Sequence, residues 1–188
     1  VDAHALGGFP VGRQILALLG SRLDPDQIML VRNNVFVGAA LFDGVRIFAL
    51  ERMGETDVVT NSFSIAPGTN TQASYVFFEV QASSGFTGEA SLRLVNNVVD
   101  GVGAGIALES TAGLTFTTDH NLFGSFATEF SGGMAGLTGA NDLFGVDPQF
   151  ADADLRLAPT SPAVDSGATA AQFASVPVDD FEGTTRPQ

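Results

Sequence analysis

A short phrase that recurs along the chain constrains its fold more than any other feature. It is an asparagine followed two residues later by an apolar side chain, and it occurs at four positions: Asn34, Asn61, Asn97 and Asn121. The intervals between these asparagines are 27, 36 and 24 residues. Internal repeats of roughly 20 to 50 residues are typical of solenoids, in which each repeat stacks on the next.

Alignment on these asparagines produces columns of apolar residues. Two positions after the asparagine lie Phe36, Phe63, Val99 and Phe123. Three and five positions before it lie Val31, Val58, Leu94 and Thr118, and Met29, Thr56, Leu92 and Phe116. Because side chains alternate between the two faces of a strand, we expect these columns to face inward. The positions two and four before the asparagine should then face outward.

The repeat length indicates a parallel β-helix. About 24 residues accommodate three strands of mean length and three turns. Asparagine tolerates the left-handed backbone that a sharp turn needs, and stacked asparagines can hydrogen-bond to one another along a β stack. The 36-residue interval should carry an insertion, near 67–70 or 83–85. An antiparallel sandwich, which also has many short strands and turns, is the alternative fold.

One stretch near the start has helical periodicity. The apolar residues between Arg13 and Leu23 fall at spacings that favour one face of a helix, and Asp24-Pro25-Asp26 would end it. We therefore predict one short N-terminal helix, which either caps the solenoid or is an insertion.

The C-terminal part contains a series of phrases in a fixed order. They are Asp119-His120-Asn121-Leu122-Phe123, Asp147-Pro148-Gln149-Phe150, Leu155-Arg156-Leu157-Ala158-Pro159-Thr160-Ser161-Pro162-Ala163-Val164-Asp165-Ser166-Gly167 and Asp179-Asp180-Phe181-Glu182-Gly183-Thr184-Thr185-Arg186-Pro187. This series resembles the end of bacterial extracellular right-handed parallel β-helix repeat proteins. The resemblance is specific for architecture but not for activity, because such tails occur on polysaccharide lyases, glycosidases and adhesin-like surface proteins.

We accordingly predict an all-β fold, a right-handed parallel β-helix with an irregular C-terminal capping tail. The expected divisions are an N-terminal segment at 1–26, β-helix coils at 27–145 and the tail at 146–188. Pro148, Pro159 and Pro162 cannot donate ladder hydrogen bonds, which suits a segment that leaves the solenoid and covers its open edge. Similar proteins continue beyond the Arg-Pro pair, so we expect residues to be missing at both ends.

Charge and composition exclude several classes of partner. The net charge is −13, all eight basic residues are arginine, and there is no cysteine. Such a charge repels phosphate backbones and anionic lipids, and we expect neither nucleic-acid binding nor membrane insertion. The chain has 16 phenylalanines but one tyrosine and no tryptophan. This composition favours stacked interior rings over an aromatic sugar-binding surface.

The outward columns contain the candidate catalytic residues Asp57, Arg93 and Asp119. One interpretation is a lyase site, with Arg93 as base or charge neutraliser and the carboxylates holding Ca²⁺. A pair of carboxylates, Asp57 and Asp119, could alternatively serve a glycosidase. The structural alternative is an exposed ion-pair cluster of small energetic value. His120, next to Asp119, is expected to pack in a turn, and His4 has no recognisable role.

The sequence therefore predicts an extracellular or cell-surface module with a structural, surface or assembly role, associated with carbohydrate or with copies of itself. The alternative is a polysaccharide lyase or glycoside hydrolase that works on the outer face. Glycan binding without turnover is a third class. No cofactor is firmly implied, although the acidic runs at 147–154 and 179–182 could bind Ca²⁺.

Overall fold

The computed structural model of the protein describes residues 12–20, 28–49, 55–67, 76–82, 91–101, 106–110, 115–124, 126, 128–132, 139–180 and 183–185. Within these ranges the chain forms strands and turns and no helix. The strands are β1 (Gly12–Gly20), β2 (Ile28–Arg32), β3 (Val35–Ala49), β4 (Glu55–Val59), β5 (Ser62–Pro67), β6 (Val76–Ala82), β7 (Ser91–Val95), β8 (Val98–Gly101), β9 (Ile106–Ser110), β10 (Thr115–Asp119), β11 (Leu122–Phe123), β12 (Thr128–Gly132) and β13 (Leu143–Phe144).

The strands form two parallel sheets. The larger sheet has the order β12-β9-β6-β3-β5-β8-β11-β13, with β1 also paired to β3, and the smaller has the order β10-β7-β4-β2. The long strand β3 pairs with β5 along its first half and with β6 along its second half. The expected all-β class is therefore confirmed, and the parallel pairing rules out the antiparallel sandwich for this part of the chain.

Each strand pairs with its equivalent in the neighbouring repeat, in the register that the asparagine alignment predicts. In the smaller sheet Val58 pairs with Val31 on one side and with Leu94 on the other. In the larger sheet Phe63 lies between Phe36 and Val99. The columns read from the sequence are thus columns of hydrogen-bonded neighbours.

The predicted inward columns form much of the core. Phe36, Phe63, Val99 and Phe123 are all buried, as are Val58, Leu92 and Leu94. The rings of Phe36 and Phe63 stack with centroids 4.8 Å apart, and those of Phe123 and Phe144 stack at 4.9 Å. Burying each such side chain contributes about 1.5–3 kcal/mol to folding.

A tight turn joins the two sheets in each repeat. The residue just before each ladder asparagine has the left-handed backbone, with φ of 52° at Asn33, 53° at Thr60, 57° at Asn96 and 55° at His120. The expectation that the ladder asparagines themselves supply this conformation was wrong by one position. The ladder asparagine instead supplies its side-chain amide to the neighbouring repeats.

The predicted N-terminal helix was also wrong. Residues Gly12–Gly20 form strand β1, which pairs in parallel with β3 from Gly12↔Ala40 to Gly20↔Ala49; residues 21–27, where the helix was expected to end, lie outside the described residues. The periodicity of a short apolar run fits a helix and a strand equally well. Here the run is a strand because it pairs with β3. His4 and the expected insertion at 68–70 and 83–85 lie outside the described residues too.

The tail beyond β13 is irregular, as predicted, and its described residues form two isolated antiparallel bridges, Phe150↔Leu157 and Asp179↔Thr185. Part of it lies on the outer face of the smaller sheet. Ala168 and Val176 are buried in one cluster with Val59 and Val95, against which Leu30 and Phe173 also pack. The contacts therefore place this segment over a face of the smaller sheet.

Candidate functional site

The asparagines at the turn form a continuous hydrogen-bonded ladder. The side-chain Nδ2 of each donates to the Oδ1 of the next, from Asn34 to Asn61 at 3.0 Å, Asn61 to Asn97 at 3.0 Å and Asn97 to Asn121 at 2.9 Å. The backbone amide of each ladder residue donates to the same oxygen. All four residues are buried. These bonds satisfy polar groups that would otherwise be costly inside the protein.

The ladder asparagines also tie the turn to the strands below it. Asn97 Nδ2 donates to the carbonyl of Val58 at 2.7 Å, and Asn61 Nδ2 donates to the carbonyls of Val31 and Val59. One side chain thus bridges two repeats and both ends of its own turn. This arrangement is structural, since it leaves the ladder amides no exposed surface for a ligand.

Asp57 and Arg93 are direct neighbours in the register of β4 and β7. Arg93 Nε donates to Asp57 Oδ1 at 2.7 Å, and Arg93 Nη2 donates to Asp57 Oδ2 at 2.6 Å. The same guanidinium forms an ion pair with Glu55. The side chain of Asp57 is completely buried, whereas that of Arg93 is 33% exposed. The expectation of an exposed ion-pair cluster was therefore wrong for the carboxylate.

This pairing fixes the charge state of the arginine. The hydrogen bond from Arg93 to Asp57 raises the pKa of Arg93 above its ordinary value, and the negative charges of Asp57 and Glu55 act in the same direction against the opposing effect of burial. A guanidinium with a raised pKa is a poor base. The bidentate pair neutralises the carboxylate and leaves neither group available as a general acid or base in this arrangement.

Asp119 does not join Asp57 and Arg93. It pairs in register with Val95, two repeats and two residues away from Asp57, a backbone separation of about 12 Å from the usual strand spacings. Asp119 Oδ1 accepts hydrogen bonds from the backbone amide of His120 at 3.1 Å and from the backbone and side-chain amides of Asn141 at 3.2 and 3.1 Å. The carboxylate acts as a turn acceptor, whereas that of Asp57 is paired with Arg93.

His120 lies in the turn of the fourth repeat, as expected. Its Nδ1 atom is 3.2 Å from Asp119 Oδ1 without the geometry of a hydrogen bond, and its side chain is 13% exposed. The residue also lines a cleft of about 630 Å³ between the turns and the tail, together with Asn96, Leu122, Asp165 and Ser166. No sequence pattern indicates this cleft, because its two walls, at 96–122 and 157–177, are far apart along the chain.

We compared the chain with protein-family models, curated proteins and solved structures. None of them matches it.

The acidic run at 147–154 uses its carboxylates within the tail. Arg156 Nη1 donates to Asp152 Oδ2 and to Asp154 Oδ2, both at 3.0 Å. Asp147 Oδ1 accepts from the backbone amide of Gln149 at 2.8 Å. In the part of the chain that the structure describes, no group of three or more acidic, histidine or cysteine residues is arranged to hold a metal ion, and no helix is long and apolar enough to span a bilayer.

Proposed function

We propose that this chain is part of a right-handed parallel β-helix with a non-catalytic, extracellular role as a structural, surface or assembly module. The observation that carries the proposal is the use of the outer face of the smaller sheet. The outward columns, which contain the candidate catalytic residues, are occupied in part by an internal ion pair and by the tail of the same chain.

The β-helix part of the proposal rests on the pairing pattern. In both sheets a strand pairs in parallel with its equivalent one repeat earlier and one repeat later. Parallel neighbours cannot be joined by a hairpin and need a crossover, and here each crossover passes through the strand of the other sheet. Crossovers between parallel strands are right-handed in about 98% of cases, which supports the proposed hand.

The non-catalytic part rests on what the outer face offers. Val59 and Val95 belong to the outward columns, yet each is fully buried beneath Ala168 and Val176. A polysaccharide that approached this face would first have to displace the tail. Two charged groups of the outward columns, Asp57 and Arg93, are hydrogen-bonded to each other.

The extracellular location and the association with carbohydrate rest on the resemblance of the tail phrases. An assembly role is consistent with a stack of repeats, since surfaces at its ends can pair with further strands. Light scattering over a hundredfold range of protein concentration tests assembly. A constant monomer mass would contradict it.

The function is tested by incubating the purified chain with a panel of acidic and neutral polysaccharides, with and without Ca²⁺. Unsaturated products are followed by absorbance and new chain ends by a reducing-sugar assay. We expect no turnover while circular dichroism shows a folded, β-rich protein. Product formation that is lost in the Arg93→Ala variant, with the fold retained, would overturn the proposal in favour of a lyase or hydrolase.

A further inference from the structure

The cleft between the turns and the tail has an unusual balance of hydrogen-bonding groups. It has a volume of about 630 Å³, which falls in the range of small-molecule sites. The turns of the third and fourth repeats form one wall through Asn96 and His120, and the tail forms the other through Asp165, Ser166 and Thr169. What the cleft can bind depends on which of these polar groups are still available.

Three polar side chains of the cleft already make hydrogen bonds within the protein. Asn96 Nδ2 donates to the carbonyl of Ala168 at 2.7 Å, while Asn96 Oδ1 accepts from the amide of Ala168 at 2.7 Å. The hydroxyl of Ser166 donates to the carbonyl of Ala163 at 3.0 Å. The hydroxyl of Thr169 donates to Gln172 Oε1 at 3.2 Å. These bonds use the hydroxyl protons of Ser166 and Thr169 and one of the two N–H groups of Asn96 Nδ2.

Asp165 offers a carboxylate to the cleft. It is exposed, has a left-handed backbone with φ of 58°, and its carboxylate makes no hydrogen bond or ion pair within the described residues. A non-glycine residue in this conformation is uncommon and can mark a functional position. His120 adds an imidazole ring, whose Nδ1 lies 3.2 Å from a carboxylate oxygen of Asp119.

The rest of the lining is apolar. Val98, Leu122, Leu157 and Pro177 contribute carbon surface to the cleft. The cleft therefore combines a carboxylate, an imidazole and aliphatic walls on a chain of net charge −13. A ligand that fits the carboxylate and the aliphatic walls carries donors and a positive charge at the end of an aliphatic stem.

We propose that this cleft binds a primary ammonium group on an aliphatic stem, with Asp165 as its counter-ion. Such a group is found on a free polyamine and on a lysine side chain of a partner protein. The proposal goes beyond the structural role and does not depend on it.

The test is titration of the full chain, labelled with ¹⁵N, with 1,5-diaminopentane and with Nα-acetyl-lysine N-methylamide, followed by amide shifts in the NMR spectrum. We expect saturable shifts that concentrate at 163–169 and around His120. Binding of both probes indicates a lysine side chain as the source, and binding of the diamine alone indicates a free polyamine.

Two variants make the test specific. Asp165→Asn keeps a residue that tolerates the left-handed backbone and should weaken binding about tenfold, the effect of losing one ion-paired hydrogen bond. Asp154→Asn removes the same charge from an exposed position elsewhere in the tail and should leave the affinity unchanged. Equal weakening in both variants would mean that the affinity depends on net charge alone, and it would overturn the proposal.

Neutral probes complete the experiment. 1,5-Pentanediol matches the diamine in length without its charge, and maltotriose offers many hydroxyl donors. We expect neither to shift the cleft amides at concentrations that saturate with the diamine. Shifts with maltotriose and none with the diamine would replace the proposed ligand by a neutral sugar and overturn the inference.

Discussion

Asp142 Oδ1 accepts hydrogen bonds from both the backbone amide of Asn121, at 2.8 Å, and its side-chain amide, at 2.9 Å. These are the two bonds that each ladder asparagine makes to the next. Asp142 thus takes the fifth position of the ladder, with a carboxylate in place of an amide. Its second oxygen accepts from the hydroxyl of Thr118 at 2.6 Å, which ties the last turn of the ladder to strand β10.

This arrangement predicts how substitutions of Asp142 affect stability. Asp142→Ala removes the acceptor of two buried donors of Asn121 and should lower the free energy of unfolding by about 1–3 kcal/mol, the cost of unsatisfied buried groups. Asp142→Asn keeps Oδ1 as the acceptor, and its amide can donate to the Thr118 hydroxyl, so most of the stability should remain. Urea denaturation of the three proteins measures the difference. Equal stability of the alanine and asparagine variants would contradict the role of Oδ1.

Most of the ladder could be predicted from the sequence, but its last member could not. The four asparagines and the inward phenylalanines were predictable because a repeated residue type at a repeated offset reports its own register. Asp142 was not predicted, because an aspartate does not match the repeated phrase. Its equivalence is chemical, since Oδ1 accepts in the same way as an amide oxygen, and the following Leu143-Phe144 pair is the remaining signal in the sequence.

The accessibility of the candidate residues on the outer face could not be predicted from the sequence, for a different reason. The alternation of strand side chains correctly separates Val59 and Val95 from the inward columns, but it cannot tell whether another segment covers them. The covering residues, Ala168 and Val176, are more than seventy positions further along the chain than Val95. Sequence periodicity carries no information on such long-range packing.

The ion pair of the outer face predicts a second stability effect. In Arg93→Ala the completely buried carboxylate of Asp57 loses both hydrogen bonds that it accepts from the guanidinium. We expect the free energy of unfolding to fall by about 2–4 kcal/mol. This is somewhat less than for a fully buried pair, because Arg93 is partly exposed. Chemical denaturation of the folded variant gives the value.

A double variant separates the pair from the cost of leaving one charge alone. Replacing both partners by leucine, Asp57→Leu with Arg93→Leu, removes the buried charge and should recover most of the lost stability. Failure of the double variant to exceed Arg93→Ala in stability would show that the two side chains contribute mainly through their shape.

The packing of the tail on the sheet predicts a contrast between two valines. Val176 is 4% exposed in the cluster with Val59 and Val95, whereas Val178, two residues later, is 52% exposed. Val176→Ala should destabilise the protein by about 1–2 kcal/mol through lost burial. The matched Val178→Ala should change stability by less than about 0.5 kcal/mol.

Hydrogen exchange locates the same effect. Amides around 168–176 should exchange faster in Val176→Ala, while those of the asparagine ladder keep their protection, because local opening of the tail does not require the sheets to separate. Faster exchange in both regions at once would mean that the tail and the sheets unfold as one unit and would contradict separate docking.

The last prediction concerns pH and the turn at 152–156. Hydrogen bonds from the side chain and the backbone of Arg156 lower the pKa of Asp152 below its ordinary value of 3.8. A group whose pKa is lower in the folded state stabilises that state above the unfolded pKa, and this stabilisation is lost as the pH falls through the folded pKa. The contribution is therefore present at neutral pH and disappears in acid.

NMR titration of the Asp152 carboxyl carbon should give a midpoint below 3.8 in the native chain and a higher one in Arg156→Gln, whose side chain has no charge. Because the carboxylate is exposed and the solvent screens the pair, 1 M salt should bring the Asp152 titration midpoints of the two proteins closer together. A midpoint that is unchanged by the substitution would assign the lowered pKa to the backbone amides of the turn alone.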